Sequence, residues 1–414
     1  MPANDFDFTD WLSMKALQLL TNPLEISPAF NTDYNSEFQQ EFAVGDTVRI
    51  PYPNQFIGGD TDLSYQPEAI IDRATTVKID RVAKVHFEWD SIERALKMPK
   101  SEEKIAEKIL KPAMAVIKQK IDTACALYAY QNTPNFVGIL GTNPTTFDAV
   151  YGAAGQRMQE TGAWLGEKKM FLTPGVARTL RASVVAQFNP ADDLTRMWKK
   201  GSIGEANGFD SYSSMSLARH TTGVWAGVVE VAAAGQSGTT LTLTATNGDT
   251  FKAGDKFDIA GVNDLNNMTK QSFGVLKQFT ILTAVTAVGT APVITISPEI
   301  FGPGSPYQNV DALPAAGADL TMFRGTAAPT TAHTGSMNLA IGQDAFALVG
   351  VKLANPKKGT VEMVSQARDP KSGLSIAFIR DFDSVQRKWI NRFDCIYGFG
   401  NLYNDRAAVA VLGA

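Results

Sequence analysis

The chain has 414 residues, a formal net charge of −4, 44% hydrophobic residues and 19% charged ones. That length exceeds one ordinary compact domain and implies two or three structural units, one of which can be inserted into another. The composition excludes a disordered chain, and without a basic excess the molecule lacks the means to grip nucleic acid by counterion release.

No apolar run approaches the roughly 20 residues that cross a bilayer, and Met1-Pro-Ala-Asn-Asp-Phe-Asp-Phe8 lacks the basic-then-apolar layout of a secretion signal. The expected home is a cytoplasm, with no membrane partner. Cys125 and Cys395 stand in no ligand-like spacing and are expected to be reduced, buried thiols.

In chain order, the first helix is expected from about Asp10, capped by Thr9 or Asp10, with Leu12, Ala16, Leu19 and Leu20 at helical spacing. From Thr21 to Gln40 no period is sustained, and Asn22-Pro23 and Ser27-Pro28 point to an extended segment that depends on its neighbours. Two strand-like runs follow, 46–52 and 74–89, the second with Val85, Phe87 and Trp89 alternating; together they predict a long hairpin. Its connection, 54–73, holds Gly58-Gly59, Asp60, Asp62, Glu68, Asp72 and Arg73. So polar a two-stranded projection needs a partner surface, which makes Asp60, Asp62, Glu68 and Arg73 candidates for contacts between subunits.

The strongest helical signal spans about 101–130, with Ser101 as cap and Glu102 and Glu103 at the positive end of its dipole. Ile105, Ile109, Ala113, Val116, Ala124 and Leu127, flanked by Ile117 and Ile121, are expected on the buried face. Lys104, Lys108, Lys111 and Lys118 share the opposite one, either as a solvated face or as a surface turned toward DNA. Pro112 demands a bend or a restart with the proline in a first turn.

Lys168-Lys-Met-Phe-Leu172 predicts a strand, and Thr173-Pro174 the start of a helix through Gln187. From about Val224 to Arg324 the chain changes to short Thr- and Val-rich β-runs with turn signals at Asn247-Gly248 and Gly254-Asp255. This predicts a small β-barrel or sandwich with Leu241, Leu243, Phe257 and Ile259 in its core. After it, longer alternating runs return at 375–379 and 406–412, so a β-rich insertion in an α+β parent fits the order best.

Chemistry is sparse. Ser101-Glu-Glu-Lys104 lacks the companion motifs of penicillin-binding enzymes, His86, His220 and His333 occur in no metal spacing, Gly398-Phe-Gly400 lacks the third glycine of a phosphate loop, and Asp192-Asp193 has no identifiable partner. No catalytic site, cofactor or metal is expected, which leans toward a structural protein.

The order of parts resembles the Hong Kong 97-type capsid fold of tailed bacteriophages. Phe251-Lys-Ala-Gly-Asp-Lys-Phe-Asp-Ile-Ala-Gly-Val262, with Met268-Thr-Lys270 and Phe279-Thr-Ile281, is similar to the inserted β-barrel of short-tailed Salmonella phage coat proteins. Lys169-Met-Phe-Leu-Thr-Pro174, Gly208-Phe-Asp210 and Cys395-Ile-Tyr-Gly-Phe-Gly400 resemble flanking segments of that family. The resemblance implies an N-terminal arm (1–43), an extended hairpin (44–90), a spine helix (91–132), an axial-type α/β region (133–223), an inserted barrel (224–324) and a return to axial and peripheral strands (325–414). It further implies a major coat protein that forms hexamers and pentamers with itself. Scaffolding and portal proteins would be its partners, and the shell would enclose double-stranded DNA without reading its sequence. Assembly would take place in the host cytoplasm. Family members carry a long polar loop early in the insert, whereas 231–238 leaves only a short connection here. The alternatives are a nanocompartment shell of the same fold and a carbohydrate-binding structural β-protein.

Overall fold

The computed structural model describes residues 8–21, 24–34, 47–52, 73–90, 109–162, 166–187, 204–266, 269–322, 329–354, 361, 363–369 and 373–414. They form two compact units: Met1–Ile50 with Thr75–Cys125 and Phe346–Gly400, and Pro51–Ala74 with Ala126–Ala345 and Asn401–Ala414.

The first unit is built on a sheet in the order Thr47–Pro51, Ala74–Asp90, Lys388–Asn401, Ser375–Asp383, Met363–Arg368, with Phe346–Val351 also paired to Lys388–Asn401. The long strand Ala74–Asp90 has Val77 and Ala83 buried and Lys84, His86 and Glu88 exposed, the period of a strand with one covered face. It lies beside Thr47–Pro51, the other strand of the expected hairpin, and is paired along its other edge as well. From Lys78 to Asp90 its backbone pairs antiparallel with Phe399 to Lys388, three hundred residues away, so neighbouring subunits are not needed to satisfy it. Gly398 belongs to that pairing: a Cβ there would run into the Lys78 carbonyl.

Helix Phe8–Thr21 packs on the strands Met363–Arg368 and Ser375–Asp383, with Ala16 and Leu20 buried. The stretch after it, expected to be extended, turns inward. Leu24, Ile26 and Phe30 are buried, Ser27–Ala29 forms a 3₁₀ turn, and Asn31 bridges to Ala347.

The α-helix Lys111–Asn132 carries Pro112 at its second position, and residues 109–110 lead into it as a wider π-type turn, so the helical pattern changes at the proline. The part expected before residue 109, with Ile105, lies outside the described residues. The buried stripe differs from the one expected: Leu110, Ala113, Met114, Ile117, Ile121 and Cys125 are covered, while Val116 and Leu127 are exposed. The buried face therefore includes Ile117 and Ile121, and Asp122 with them.

The second unit holds two larger sheets and the short pair Thr250–Phe251 with Val285–Thr286. One runs Phe136–Val137, Ala408–Leu412, Thr334–Gly342, Lys168–Leu172, Phe209–Ser213, Glu205–Ala206, with Arg219–Thr221 also beside Thr334–Gly342. Val150, Tyr151, Ala154, Met158, Val176, Ala177 and Leu180 bring the segment 148–160 and helix Pro174–Gln187 onto Met170, Leu172, Ala340, Val409 and Val411. Burial of that many apolar side chains, each contributing about 1.5–3 kcal/mol, fixes this core.

The other sheet runs Leu320–Met322, Lys256–Leu265, Ser272–Ile281, Val293–Ile300, Gly238–Thr244, Glu230–Val231. Its two ends meet: Glu230 bridges Asp319, Val231 N–H donates to the Ala318 carbonyl at 2.9 Å, and Leu320 N–H to that of Val229 at 2.9 Å. The result is a closed six-stranded barrel without a free edge. Leu241, Leu243, Phe257 and Ile259 are fully buried, and Phe257 stacks on Phe279 with centroids 5.7 Å apart.

Candidate functional site

Among the described residues no three His, Cys, Asp or Glu side chains are grouped to hold a metal, and no helix is long and apolar enough to cross a membrane. The chemistry is instead in polar anchors. Of the expected contact residues, Asp60, Asp62 and Glu68 lie outside the described residues, as do Asp192, Asp193, Lys104 and Lys108.

Arg73 is described, and it is engaged within its own chain. Its Nη2 donates to Glu299 Oε2 at 2.9 Å, and its guanidinium lies 4.4 Å from the Phe301 ring centroid and 4.9 Å from that of Tyr307. Its carbonyl accepts from Tyr52 N–H at 2.8 Å, and the Tyr52 hydroxyl donates to the Leu402 carbonyl at 2.8 Å. A planar cation finds both an anion and two aromatic faces here, which is why it turns to the barrel rather than outward.

Lys118 is likewise engaged within its own chain. Its ammonium sits 3.0 Å from Glu25 Oε1 and 3.9 Å from Asp122 Oδ2, with the side chain only 17% exposed. Asp122, fully buried, accepts the N–H groups of Glu25, Ile26 and Ser27 at 3.2–3.3 Å and so pins the inward-turning N-terminal segment. Burial raises its pKa despite those bonds. Lys111 remains on the exposed side of the helix.

Asp264, on Lys256–Leu265, is held between two cations: Arg157 Nη2 at 2.9 Å and Lys277 Nζ at 2.9 Å, all three side chains nearly buried. Glu160 stands 3.5 Å from Arg157. This ties helix Ala153–Glu160 to the barrel. Nearby, the Gln278 amide exchanges two hydrogen bonds with the Phe136 backbone.

A second buried junction gathers Tyr130, His220, Asp255 and Lys256. His220 Nε2 and Asp255 Oδ1 are 2.7 Å apart, the Tyr130 hydroxyl donates to the Gly254 carbonyl, and Lys256 donates to the carbonyls of Tyr130 and Thr133. Burial drives the Lys256 pKa down to about 7, with Asp255 opposing the shift, and pushes the Tyr130 hydroxyl well up. Sequence reading missed both junctions. The one available signal was polar residues inside apolar strands, Lys256 before Phe257 and Asp264 before Leu265.

The cysteines are buried and unpaired, and burial lifts the Cys395 pKa to about 12.

The family model described as P22 coat protein, gene protein 5, matches residues 31–413. Similar solved structures include one from Mycobacterium phage Che8, 12% identical, covering 94% of this chain and 92% of that one with a TM-score of 0.49. The capsid of Ralstonia phage GP4 is 9% identical, covering 94% and 88%, with a TM-score of 0.42. The CUS-3 coat protein I-domain is 27% identical, covering 23% of this chain and 95% of that one, with a TM-score of 0.19. No match was found among curated protein sequences. With nearly its whole length matched by one family model, the α+β chain belongs to the P22 coat protein family, and it is a major capsid protein of a tailed bacteriophage.

Proposed function

We propose that this coat protein assembles as hexamers and pentamers around a scaffolding protein, incorporates a portal, and then encloses double-stranded DNA. The observation that carries the reading is the family match from residue 31 to 413, which takes in both sheets and the barrel. Assembly takes place in the bacterial cytoplasm. The segment 54–73, with Asp60, Asp62 and Glu68, supplies contacts between subunits, while Lys104, Lys108 and Lys111 face the packaged DNA. The net charge of −4 suits a container, because a wall that gripped the duplex would hinder its passage. The residues 224–324 form an inserted barrel domain with a private core of Leu241, Leu243, Phe257 and Ile259. Repetition of weak contacts stabilises a symmetric shell and lets misplaced subunits leave before closure.

Co-expression with the scaffolding protein of the same phage, followed by electron microscopy, tests this. Closed shells of uniform curvature are expected; compact monomers in every condition would refute it. Reversing Asp60 and Asp62 to Lys is expected to impair shells while leaving the subunit folded.

A further inference from the structure

We infer that Arg73 is a positioning residue: it ties the root of the segment 53–72 to the barrel, so that the barrel sets how that segment leaves the subunit. The inference rests on the proposed role of that segment in contacts between subunits.

The residues that flank the segment meet, because Tyr52 N–H donates to the Arg73 carbonyl at 2.8 Å. One end is then tethered by the Tyr52 hydroxyl on the Leu402 carbonyl, with the Tyr52 ring 5.9 Å from that of Tyr403. The other end is tethered by Arg73 to Glu299, between the rings of Phe301 and Tyr307.

The receiving site is built independently of Arg73. The side chain of Asn309 accepts from Phe301 N–H at 2.9 Å and donates to the Glu299 carbonyl at 2.7 Å, and Asn309 N–H returns to the Phe301 carbonyl at 3.2 Å. Phe301 and Tyr307 lie 6.0 Å apart. Asn309 thus holds the backbone on both sides of residue 300 and presents one carboxylate and two rings in fixed places. Arginine fits this site and lysine does not, since a point charge can satisfy the carboxylate but cannot lie flat against a ring.

The clasp adds little to the barrel itself. Arg73 and Glu299 are each one-third exposed, where an ion pair is worth little, and the core of Phe257, Phe279 and Ile296 is complete without them. What the clasp fixes is the place of residue 73 and, through the Tyr52 N–H bond, that of residue 52.

The test uses the full chain, co-expressed with the scaffolding protein, in the variants Arg73→Ala, Arg73→Lys and Glu299→Gln. Three quantities are read: the urea midpoint of the purified subunit, hydrogen exchange at the Tyr52 amide, and the fraction of particles that are closed and uniform. With Arg73→Ala the midpoint is expected to stay within error, Tyr52 exchange to accelerate at least tenfold, and the uniform fraction to fall several-fold. Arg73→Lys and Glu299→Gln should lie between it and the parent. Unchanged exchange and unchanged particles in both Arg73→Ala and Glu299→Gln would overturn the inference. So would a fall in the urea midpoint that tracks the loss of particles across the three variants, since Arg73 would then be an ordinary stabilising residue. If the parent chain itself forms no shells, the shell reading fails instead, and the Tyr52 exchange still decides the clasp.

Discussion

The buried ammonium of Lys256 lies 4.6 Å from the centroid of the Tyr130 ring and donates to the Tyr130 carbonyl at 3.0 Å, closing the C-terminal end of the helix Lys111–Asn132 from the barrel side. The last carbonyls of a helix have no partner within it and carry the negative end of its dipole, so a cation placed there answers both deficits. The turn that delivers Lys256 requires glycine at 254. Its φ is +94°, and a Cβ would come within 2.7 Å of the Tyr130 ring.

Burial that lowers the Lys256 pKa to about 7 makes this junction pH-dependent. The unfolded chain holds its proton up to about 10.4, so between pH 7 and that value the unfolded state binds more protons, and stability rises with pH. Below pH 7 both states are charged and the full cost of burying the ammonium is present. Relative to Lys256→Met, the parent protein should therefore gain stability from pH 6 to pH 9, approaching about 1.4 kcal/mol per pH unit above 7. Urea midpoints of the pair across that range check it; a constant difference refutes it.

Asp264 is the anion on which two nearly buried cations depend. Asp264→Asn leaves Arg157 and Lys277 without it and is expected to destabilise the subunit by about 3–5 kcal/mol. Replacing all three together by Met and Leu of similar volume should come out near neutral, because the desolvation of the ions disappears along with their attraction. Denaturant curves of the single and triple variants separate the two effects, and a mild single variant would show that water reaches the cluster.

Asp258 works in the opposite sense. Burial raises its pKa to about 6, against a lowering hydrogen bond from Thr321. The folded state therefore holds a proton that the unfolded state has released between about pH 4 and 6, and stability is lost as pH rises through that window. Asp258→Asn should stabilise the subunit at pH 7 by about 1 kcal/mol, after allowance for the carboxyl's partial exposure, and should have little effect at pH 4. Thermal melts at the two pH values give the answer.

What the sequence disclosed was local. Leu241 and Leu243 alternating with threonines, Thr173-Pro174 opening a helix and Asn247-Gly248 closing a turn all follow from backbone preferences of a few adjacent residues. What it hid was non-local. Lys256 meets Tyr130 from 126 residues away, and Arg157 meets Asp264 from 107. The buried face of Lys111–Asn132 was misread at Val116 and Leu127 because alanines and isoleucines recur on several overlapping stripes, and only Asp122, held by Glu25, Ile26 and Ser27, marks the true one. The hairpin of Thr47–Pro51 with Ala74–Asp90 was legible, but its second partner was not: the alternation of Val85 and Phe87 announces a strand, not the pairing with Lys388–Asn401.

The barrel offers the sharpest stability test, since its apolar core is internal while its polar anchors are not. Phe251, Phe257, Ile259, Phe279, Ile281, Ile294, Ile296 and Leu320 are all buried, and the six strands close on themselves, which is the apolar core that the proposed domain 224–324 needs to fold as a small unit. The partners left behind by excision include His220, Tyr130, Gln131, Thr133, Arg157, Phe136, Pro329 and Arg73. Their loss frees Lys256 and Asp264 to reach water, which replaces the missing bonds. Expressed alone, the fragment is expected to be monomeric and β-rich and to unfold cooperatively in urea with a margin on the order of 5 kcal/mol. Phe257→Ala removes a fully buried ring stacked on Phe279 and should cost about 3–5 kcal/mol, enough to leave the fragment largely unfolded. In the full chain the same substitution should lower the yield of coat that can assemble, because the junctions at Asp264 and Lys256 then rest on a loosened barrel. Amide signals without dispersion in the parent fragment would show that the barrel depends on those junctions to fold.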